Sequence, residues 1–174
     1  EGEPPAAVFV VPTMIEQLTR DGVPIDAAPQ RIFCAGAHLD GTLRERVARR
    51  FPTSSLVEYY GASELSFVAI HVDGDGTPSG SVGRAFPGVE ISIRDDEDRA
   101  LPAGETGVIF ARSALTFMGY RGTPPESGAR VLADGWVSVG DRGALDSEGF
   151  LSVVGRGSSL IITGGANVQP EEVE

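Results

Sequence analysis

The sequence predicts an α/β fold, in which a parallel sheet with covering helices is followed by a small antiparallel β-barrel subdomain. Three observations predict it. Residues 8 to about 70 alternate strand-like and helix-like stretches, glycine and proline recur every few residues from about residue 80, and the apolar runs of that second region are short and β-rich. We therefore divide the chain into an α/β lobe over residues 1–75 and a β-barrel subdomain over residues 76–157.

The first unit of the α/β lobe is a strand followed by a short helix. Residues 8–11 form an apolar run that predicts a buried strand, and Pro12 ends it. Thr13 and Glu16 have the spacing of a capping box, in which a hydroxyl and a carboxylate satisfy free amide groups at a helix start. The predicted helix runs to about Arg20.

The second unit repeats this order. Residues 31–35 predict a second strand that Gly36 ends, and residues 55–60 predict a third. A helix capped by Asp40 or Thr42 lies between them. Two β-α-β units in succession predict parallel strands with helices packed against them.

One face of the second helix is apolar. Leu43, Val47 and Phe51 are spaced four residues apart, which places them on the side of a helix that faces the core. The arginines of this helix lie mostly off that face: Arg44, Arg46, Arg49 and Arg50. Four arginines are compatible with a phosphate site, but a solvated helix face also accounts for them, and we favour that interpretation.

Short β-rich runs make up the second region: residues 89–93, 108–111, 136–139, 150–154 and 160–163. Residues 102–104 and 146–149 are typical hairpin turns, so we expect a mostly antiparallel barrel or sandwich. Residues 74–80 predict the loop between the two regions.

Composition excludes several classes of function. The chain has 174 residues and a formal net charge of −11, because 25 acidic residues outnumber 14 basic ones. Such a protein repels phosphate polymers at long range, so we expect no nucleic-acid partner and no anionic membrane surface. All 14 basic residues are arginine, which rules out a Schiff-base lysine. No apolar run approaches ~18 residues, so we expect no membrane span.

The cysteine and histidine content adds further expectations. The one cysteine, Cys34, lies in an apolar stretch, where a lone cysteine is typical of a small core residue. A single cysteine forms no disulfide within the chain, and we assume a cytoplasmic location. With only His38 and His71, we expect no metal site built on histidines.

Three glycine-bearing stretches contain residue types that suit nucleotides. Tyr60-Gly61-Ala62-Ser63-Glu64 follows a predicted strand and offers an aromatic ring, a tight turn, a hydroxyl and a carboxylate for a base, a phosphate and a hard cation. Asp141 follows Gly140 and suits a vicinal diol, while Gly164-Gly165 follows a β-rich run and allows close backbone contact. Each stretch by itself is also typical of an ordinary turn.

A longer series of motifs extends this pattern over nearly the whole chain. Its members are Val11-Pro12-Thr13-Met14, Ala35-Gly36-Ala37-His38-Leu39, Tyr60-Gly61-Ala62-Ser63-Glu64, Gly80-Ser81-Val82-Gly83-Arg84, Pro87-Gly88-Val89-Glu90, Gly119-Tyr120, Asp134-Gly135-Trp136, Gly140-Asp141, Gly149-Phe150-Leu151, Gly155-Arg156 and residues 161–174. In this order they resemble the AMP-forming adenylating enzymes, the superfamily of acyl-CoA synthetases, peptide adenylation domains and firefly-type luciferases. The closing segment is most similar to that of acyl-CoA synthetases.

The resemblance implies a two-step reaction. The family joins a carboxylic acid to ATP to give an acyl-adenylate and pyrophosphate, and a thiol, usually CoA, then displaces AMP. It therefore implies ATP or AMP, Mg²⁺ and CoA as ligands and a carboxylic acid, fatty or aryl, as substrate. A carrier protein that presents a phosphopantetheine thiol is an alternative acceptor. A non-catalytic nucleotide-binding module is the alternative in which the protein is not an enzyme.

The resemblance also implies roles for individual residues. These are the backbone of Gly36 and Ala37 with Tyr60 and Gly61 at the adenine, Ser63 near the α-phosphate, Glu64 as the Mg²⁺ ligand, Asp141 with Arg156 at the ribose diol, Phe67 and Val68 at the acyl pocket, Ser159 at the hinge, and Gly164 and Gly165 at the CoA channel. A place in the sheet core is the alternative explanation for Phe67 and Val68. At Ser159 the family usually carries Asp or Lys, which weakens the hinge assignment.

Two elements of the family are expected outside this sequence. Its phosphate loop, with a lysine, normally precedes Val11, and the lysine that assists adenylate formation would follow Glu174. The chain then corresponds to the second half of the large domain, with residues 158–174 as the hinge and the start of the small C-terminal domain. We expect the isolated chain neither to adenylate acids nor to release pyrophosphate.

Overall fold

The structure, a computed structural model, describes residues 5–20, 27–122, 129–156, 161–163 and 166–168. These ranges contain two helices and thirteen strands. In chain order they are β1 (Ala7–Val10), α1 (Pro12–Leu18), β2 (Arg31–Cys34), α2 (Gly41–Arg50), β3 (Ser55–Ala62), β4 (Ser66–Val72), β5 (Arg84–Ala85), β6 (Glu90–Arg94), β7 (Gly107–Arg112), β8 (Arg130–Val131), β9 (Val137–Ser138), β10 (Asp141–Leu145), β11 (Leu151–Arg156), β12 (Ile161–Thr163) and β13 (Ala166–Val168).

The first five strands form one mixed sheet in the order β1-β2-β3-β4-β5. β1 pairs with β2, and β2 with β3, in parallel, so that Val10 lies beside Cys34 and Cys34 beside Glu58. β4 and β5 join the same sheet in antiparallel orientation. The predicted parallel β-α-β units are therefore present, and a β3–β4 hairpin that the sequence did not predict extends them.

Both helices contribute to one apolar core against this sheet. Ile15 of α1 and Val47 of α2 pack with Ile32 of β2 in a single buried cluster. The predicted apolar face of α2 is confirmed, because Leu43, Val47 and Phe51 are all buried. Burial of this kind contributes roughly 1.5–3 kcal/mol per large aliphatic or aromatic side chain, so this face accounts for the docking of α2.

Cys34 is a core residue, as its sequence context predicts. It lies in the same apolar cluster and is completely buried. Burial, together with the nearby Glu58 carboxylate, raises the pKa of the Cys34 thiol to about 11. The thiol therefore stays protonated at neutral pH and is not a nucleophile.

The two helices begin in different ways. α1 begins at Pro12, with Val11 at the N-cap and no side-chain hydrogen bond there, so the predicted Thr13–Glu16 capping box is wrong. Proline at the first helical position sets the start two residues earlier than a Thr13 cap would. In α2 the Asp40 side chain accepts a hydrogen bond from the backbone N–H of Leu43 at 2.8 Å, so Asp40 is the cap.

The second region is a six-stranded antiparallel sheet rather than a closed barrel. Its strand order is β11-β10-β7-β9-β8, and β6 pairs with the other edge of β7. Among the described strands, β6 has no second neighbour, so the sheet stays open at that edge. The apolar face that a closed barrel would turn inward packs instead against the mixed sheet, where Val68 and Ala69 of β4 meet Ile93, Ala111 and Leu151 in two buried clusters.

Backbone hydrogen bonds also join the two sheets. The N–H of Val82 donates to the carbonyl of Leu151, and the N–H of Leu151 donates to the carbonyl of Gly83, both at 2.8 Å. An isolated bridge links Arg84 to Phe150 beside them. β5 and β11 therefore lie side by side and hold the second sheet against the first. Neither described helix has the length and apolar character that crossing a bilayer requires.

Replacing the α2 cap tests the local basis of this helix. We expect Asp40→Ala to lower the free energy of unfolding by about 0.5–2 kcal/mol, because the Leu43 N–H loses its acceptor. Urea denaturation followed by far-UV circular dichroism measures the change. Thr42→Ala is the matched control and should leave stability unchanged, since Asp40 is the N-cap. An equal loss in Thr42→Ala would favour the alternative cap.

Candidate functional site

The carboxyl ends of β2 and β3 bring two of the predicted motifs to one edge of the mixed sheet. Residues 35–40 follow β2, and residues 63–65 form the turn from β3 to β4. β3 continues to Ala62, past its last pairing with β2 at Glu58. The edge beyond the carboxyl ends of parallel strands is where α/β proteins commonly bind ligands.

Tyr60 and Asp141, which are 81 positions apart, meet directly. The Tyr60 hydroxyl donates a hydrogen bond of 2.9 Å to Oδ2 of Asp141, and Asp141 is buried. In the register of β10 with β11, Asp141 lies opposite Arg156. The phenol, the carboxylate and the backbone of Arg156 are therefore adjacent.

Gly61 has a close-packing role next to Tyr60. The pairing of β3 with β4 shifts register between Tyr60 and Gly61. A Cβ at Gly61 would lie 2.1 Å from the backbone oxygen of Ser66, which no side chain tolerates without movement of the backbone. Glycine at this position therefore lets the backbone of β4 approach β3 closely.

Glu64 is held at the end of this hairpin by a loop from the second sheet. Its Oε1 accepts a hydrogen bond from the Tyr120 hydroxyl at 2.8 Å, and its backbone oxygen accepts one from the N–H of Phe117 at 2.9 Å. The Tyr120 hydroxyl in turn accepts from the N–H of Ala129 at 3.0 Å. Ser63, beside Glu64, is exposed. Tyr120 was not predicted as a site residue, although the Gly119-Tyr120 motif contains it.

The donor set around Glu64 fits a nucleotide-bound magnesium ion. In the described part of the chain, no group of three or more His, Cys, Asp or Glu side chains is arranged to hold a metal by itself. Mg²⁺ does not require one, because it usually takes one or two carboxylates together with water and substrate phosphates. Glu64 is a half-buried carboxylate next to the exposed Ser63 hydroxyl, which is a suitable partner for such an ion.

A buried charge cluster supports the same edge from beneath. Glu58 of β3 is almost fully buried, and its Oε1 accepts a hydrogen bond from the backbone N–H of Leu39 at 3.0 Å. Its Oε2 accepts from the guanidinium of Arg44, which also donates to Asp73 at 2.6 Å. Leu39 closes the loop that contains Gly36 and Ala37, so Glu58 ties that loop to β3.

Arg44 corrects one interpretation of the arginine-rich helix. The sequence predicts a solvated face for the arginines of α2, but the Arg44 side chain is only 17% exposed and bridges Glu58 and Asp73. Nothing in its sequence context distinguishes it from Arg46, Arg49 and Arg50, because its partners come from β3 and the end of β4. The first turn of α2 lies over the sheet, which explains the burial of Arg44.

Two histidines border the cluster and respond to it in opposite directions. Contact with Glu58, whose Oε1 lies 3.6 Å from Nδ1, raises the pKa of His38, and burial opposes this only in part. Burial lowers the pKa of His71, and the Arg44 charge lowers it further. Burial raises the pKa of Glu58, but the contacts from His38, Leu39 and Arg44 outweigh it, so the net shift is downward.

The two residues predicted at an acyl pocket differ in environment. Val68 is completely buried in the core between the two sheets, in keeping with its alternative explanation as a core residue. Phe67 is 40% exposed, and its ring lies 5.1 Å from that of Tyr59 and 5.5 Å from that of Phe86. Phe67 therefore forms part of an aromatic cluster on a partly open surface.

Several predicted site residues lie outside the described residues. These are Ser159, Gly164 and Gly165, together with the side chain of Arg156. Gly36 lies in the loop after β2 at a φ of +96°, and Ala37 follows it on the surface. The structure thus brings Tyr60, Asp141 and the Arg156 backbone together, and it places the Gly36 and Glu64 segments after neighbouring strands.

Comparison with known proteins identifies the family. A family model described as AMP-binding enzyme matches residues 1–121, which is more than half of the chain. The chain belongs to the AMP-binding enzyme family. Over 172 residues it is 37% identical to an uncharacterized acyl-CoA ligase, YhfT, of Bacillus subtilis, a match that covers 97% of this chain and 34% of the relative. It is 41% identical over 122 residues to a long-chain-fatty-acid–CoA ligase of the same species, covering 68% of this chain and 21% of that protein.

Solved structures of AMP-binding enzymes share the fold. O-succinylbenzoate coenzyme A synthetase (MenE) from Bacillus subtilis, in complex with ATP and a magnesium ion, is 29% identical with a TM-score of 0.80. The amide bond synthetase McbA from Marinactinospora thermotolerans is 31% identical with a TM-score of 0.81. Each match covers 97% of this chain and 35% of the other. The chain therefore spans about a third of the length of these relatives, and the resemblance seen in the motifs is confirmed.

The buried charge cluster predicts a large effect of removing Arg44. We expect Arg44→Ala to lower the free energy of unfolding by about 3–5 kcal/mol, because Glu58 is left buried without its guanidinium partner. Urea denaturation at neutral pH measures the loss. The deficit should shrink as the pH falls and Glu58 takes up a proton. Arg49→Ala, on the exposed side of the same helix, is the control and should change stability by no more than about 0.5 kcal/mol.

The two histidines should titrate on opposite sides of the ordinary value of about 6.5. Proton NMR of the imidazole ring protons should give a higher pKa for His38 and a lower one for His71, with assignment by His71→Asn. The stability that His38 contributes is complete below about pH 6.5 and is lost as the pH rises through its folded-state pKa. The contribution of His71 is present above about pH 6.5 and is lost as the pH falls through its folded-state pKa. A lower pKa for His38 than for His71 would contradict the contacts described for this charge cluster.

Proposed function

We propose that the protein carrying this chain is an AMP-forming acid–CoA ligase and that the chain supplies the adenosine-binding part of its active site. The observation that carries the proposal is the hydrogen bond of Tyr60 to Asp141, which joins two distant motifs beside the carboxyl edge of the sheet. The relatives named as acyl-CoA ligases support the reaction class. The structures of MenE in complex with ATP and with AMP support a nucleotide as the ligand.

The proposed reaction has two steps, adenylation of the acid and transfer of the acyl group to CoA. An oxygen of the substrate carboxylate attacks the α-phosphorus of ATP, and the bond from that phosphorus to the bridging oxygen breaks, which releases pyrophosphate. The thiolate of CoA then attacks the acyl carbon, and AMP leaves with the electron pair of the acyl–oxygen bond. Bound Mg²⁺ would neutralise charge on the phosphates.

The chain's own residues orient the nucleotide in this scheme. The Tyr60 ring stacks on the adenine, and the backbone of Gly36 and Ala37 lines its edge. A carboxylate accepts up to about four hydrogen bonds, so Asp141 accepts from the ribose diol while it holds Tyr60. Arg156, opposite Asp141 in the sheet, adds positive charge beside the ribose.

The phosphate end of the nucleotide meets the β3–β4 turn. The Ser63 hydroxyl would bond near the α-phosphate, and Glu64 would hold the Mg²⁺ ion. Tyr120 keeps the Glu64 carboxylate in place through its hydroxyl, 2.8 Å from Oε1. Gly61 contributes by allowing the close crossing of β4, which fixes the direction in which the turn leaves the sheet.

The same proposal extends to the remaining predicted residues. Phe67 borders the acyl pocket through its exposed ring, Ser159 serves as the hinge, and Gly164 and Gly165 line the CoA channel. The layout is an α/β lobe over 1–75, a β subdomain over 76–157 and the hinge with the start of a C-terminal domain over 158–174. We expect the isolated chain to be inactive, because the family's phosphate loop and catalytic lysine would lie elsewhere in the complete protein.

A second candidate differs only in the acceptor. McbA, an amide bond synthetase, matches this chain as well as the CoA synthetases do, with a TM-score of 0.81. The described residues surround the nucleotide rather than the acceptor, so an amine or a carrier-protein thiol in place of CoA uses the same adenylate. A panel of acids incubated with the complete protein, ATP and CoA distinguishes these, with AMP release measured with and without the thiol. AMP binding without turnover would support a non-catalytic module.

The proposed ribose contact gives the decisive test. We expect Asp141→Ala in the complete protein to weaken AMP binding by about 1–3 kcal/mol, since nothing replaces the lost acceptor. Isothermal titration calorimetry measures the dissociation constant. Because Asp141 is buried, the isosteric Asp141→Asn is measured beside it, and urea denaturation checks that both variants fold.

Asp96→Ala is the matched control. It removes a carboxylate of the same sheet whose side chain is 85% exposed, and it should leave AMP affinity unchanged. Tyr60→Phe keeps the ring and removes only the hydroxyl, so its loss should be smaller than that of Asp141→Ala. An Asp141→Ala protein that folds and binds AMP as tightly as the wild type would overturn the assignment.

A further inference from the structure

The proposed function leaves unexplained a groove between the ends of the two helices. We call it the arginine groove. It has a volume of about 570 Å³ and is lined by Thr19 and Arg20 after α1 and by Arg46, Arg49 and Arg50 of α2. Arg46 also donates a hydrogen bond of 3.2 Å to the backbone oxygen of Glu16, which ties the two helices together at the groove.

Three of these arginines lack a carboxylate partner in the described part of the chain. Elsewhere seven arginines lie within 4.0 Å of a carboxylate oxygen: Arg44, Arg84, Arg94, Arg99, Arg112, Arg130 and Arg142. Arg20, Arg46 and Arg49 make no such pair with any described residue. In a chain with a net charge of −11, three neighbouring guanidinium groups that pair with no carboxylate of the described residues are a local reversal of charge.

The helix ends account for only part of this positive charge. The carboxyl terminus of a helix carries about −0.5 of an elementary charge, so α1 and α2 together supply about one negative charge near the groove. Arg20, Arg46 and Arg49, which pair with no described carboxylate, supply three positive charges. Among the described residues, an excess of about two positive charges therefore faces the groove, which is more than the stabilisation of helix ends requires.

The groove is separate from the candidate nucleotide site. α2 begins at Gly41, next to the loop at the carboxyl edge of the sheet, and ends at Arg50. At about 1.5 Å per residue, its ten residues span roughly 15 Å. Arg49 and Arg50 therefore lie toward the opposite edge of the sheet, away from Tyr60 and Glu64.

We propose that the arginine groove binds a small anion with several phosphate charges, at a site independent of the nucleotide site. Guanidinium forks match phosphate oxygens in pairs, and a groove of this volume lies in the size range of small-molecule sites. The short range of the positive charge favours a small anion over a large one. Charges are screened beyond about 8–10 Å, so a compact ligand meets the local positive charge, whereas a nucleic acid or a membrane also meets the acidic remainder.

The test uses sodium tripolyphosphate as the probe and the complete protein that carries this sequence. Isothermal titration calorimetry should detect binding at 20 mM NaCl and weaker binding at 200 mM NaCl. Arg46→Gln/Arg49→Gln should weaken it at least about tenfold, because each lost guanidinium removes charge-assisted hydrogen bonds. Arg49→Gln alone is measured as well, because Arg49 is exposed and its replacement leaves the fold intact. Arg99→Gln removes one positive charge, as Arg49→Gln does, but outside the groove. This control should bind tripolyphosphate like the wild type.

The outcomes separate this proposal from others. An unchanged affinity in the groove variants, or no binding by the wild type, would overturn it. Stronger binding to vesicles with 30% phosphatidylglycerol, or to a glutamate-rich peptide, than to tripolyphosphate would also overturn it in favour of a membrane or an acidic protein. AMP affinity is measured on the same variants and should not change. A failure here therefore differs from a failure of the proposed function, which would appear in Asp141→Ala.

Discussion

The carboxylate of Glu58 is the constraint on which the arrangement of the first sheet depends. A charge in the protein interior is stable only when charged and hydrogen-bonded partners surround it. For Glu58 these partners are the N–H of Leu39 after β2, Nδ1 of His38 at 3.6 Å in the same loop, and the guanidinium of Arg44 on α2, which also donates to Asp73 at the end of the hairpin. Satisfying one carboxylate therefore fixes a loop, a helix and a hairpin relative to β3. Because Ala37 lies two residues before Leu39, the edge proposed to line the adenine is set from beneath.

β3 carries this order from the core of the first sheet to the second. Two residues beyond Glu58, Tyr60 packs against both apolar clusters between the sheets and donates its hydroxyl to Asp141. The position of Asp141 relative to Tyr60 therefore depends on strand pairing and buried packing rather than on a loop. Sites built on strands hold their geometry more closely than sites built on loops. The segment around Tyr120 is the exception, since it reaches Glu64 from a connection after β7.

Local sequence patterns predicted those parts of the fold that local forces determine. The spacing of Leu43 and Val47 predicted the buried face of α2, and Asp40 was one of two predicted caps, because periodicity and capping act within a few residues. The open second sheet was missed because its apolar face is covered by β4, a contact between distant segments. Arg44 was missed for the same reason, since its acidic partners are 14 and 29 positions away. The site motifs pointed to their residues, but only the fold brings Tyr60 to Asp141.

Arginine is the only basic residue in this chain, and the second sheet illustrates what it supplies that lysine does not. Arg112 binds both oxygens of Glu90, at 3.0 and 2.8 Å, while its guanidinium lies 4.6 Å from the Trp136 ring centroid. The guanidinium of Arg94, in β6, lies over the same ring, 4.9 Å from its centroid. A planar guanidinium can bind both oxygens of a carboxylate and lie flat over an aromatic ring at the same time. The ammonium group of lysine is a compact point charge and cannot make this combination of contacts. Arg46 and Arg49 have no carboxylate or ring of this kind among the described residues, so the forks that stabilise the fold elsewhere are available in the arginine groove for an anion from outside the chain.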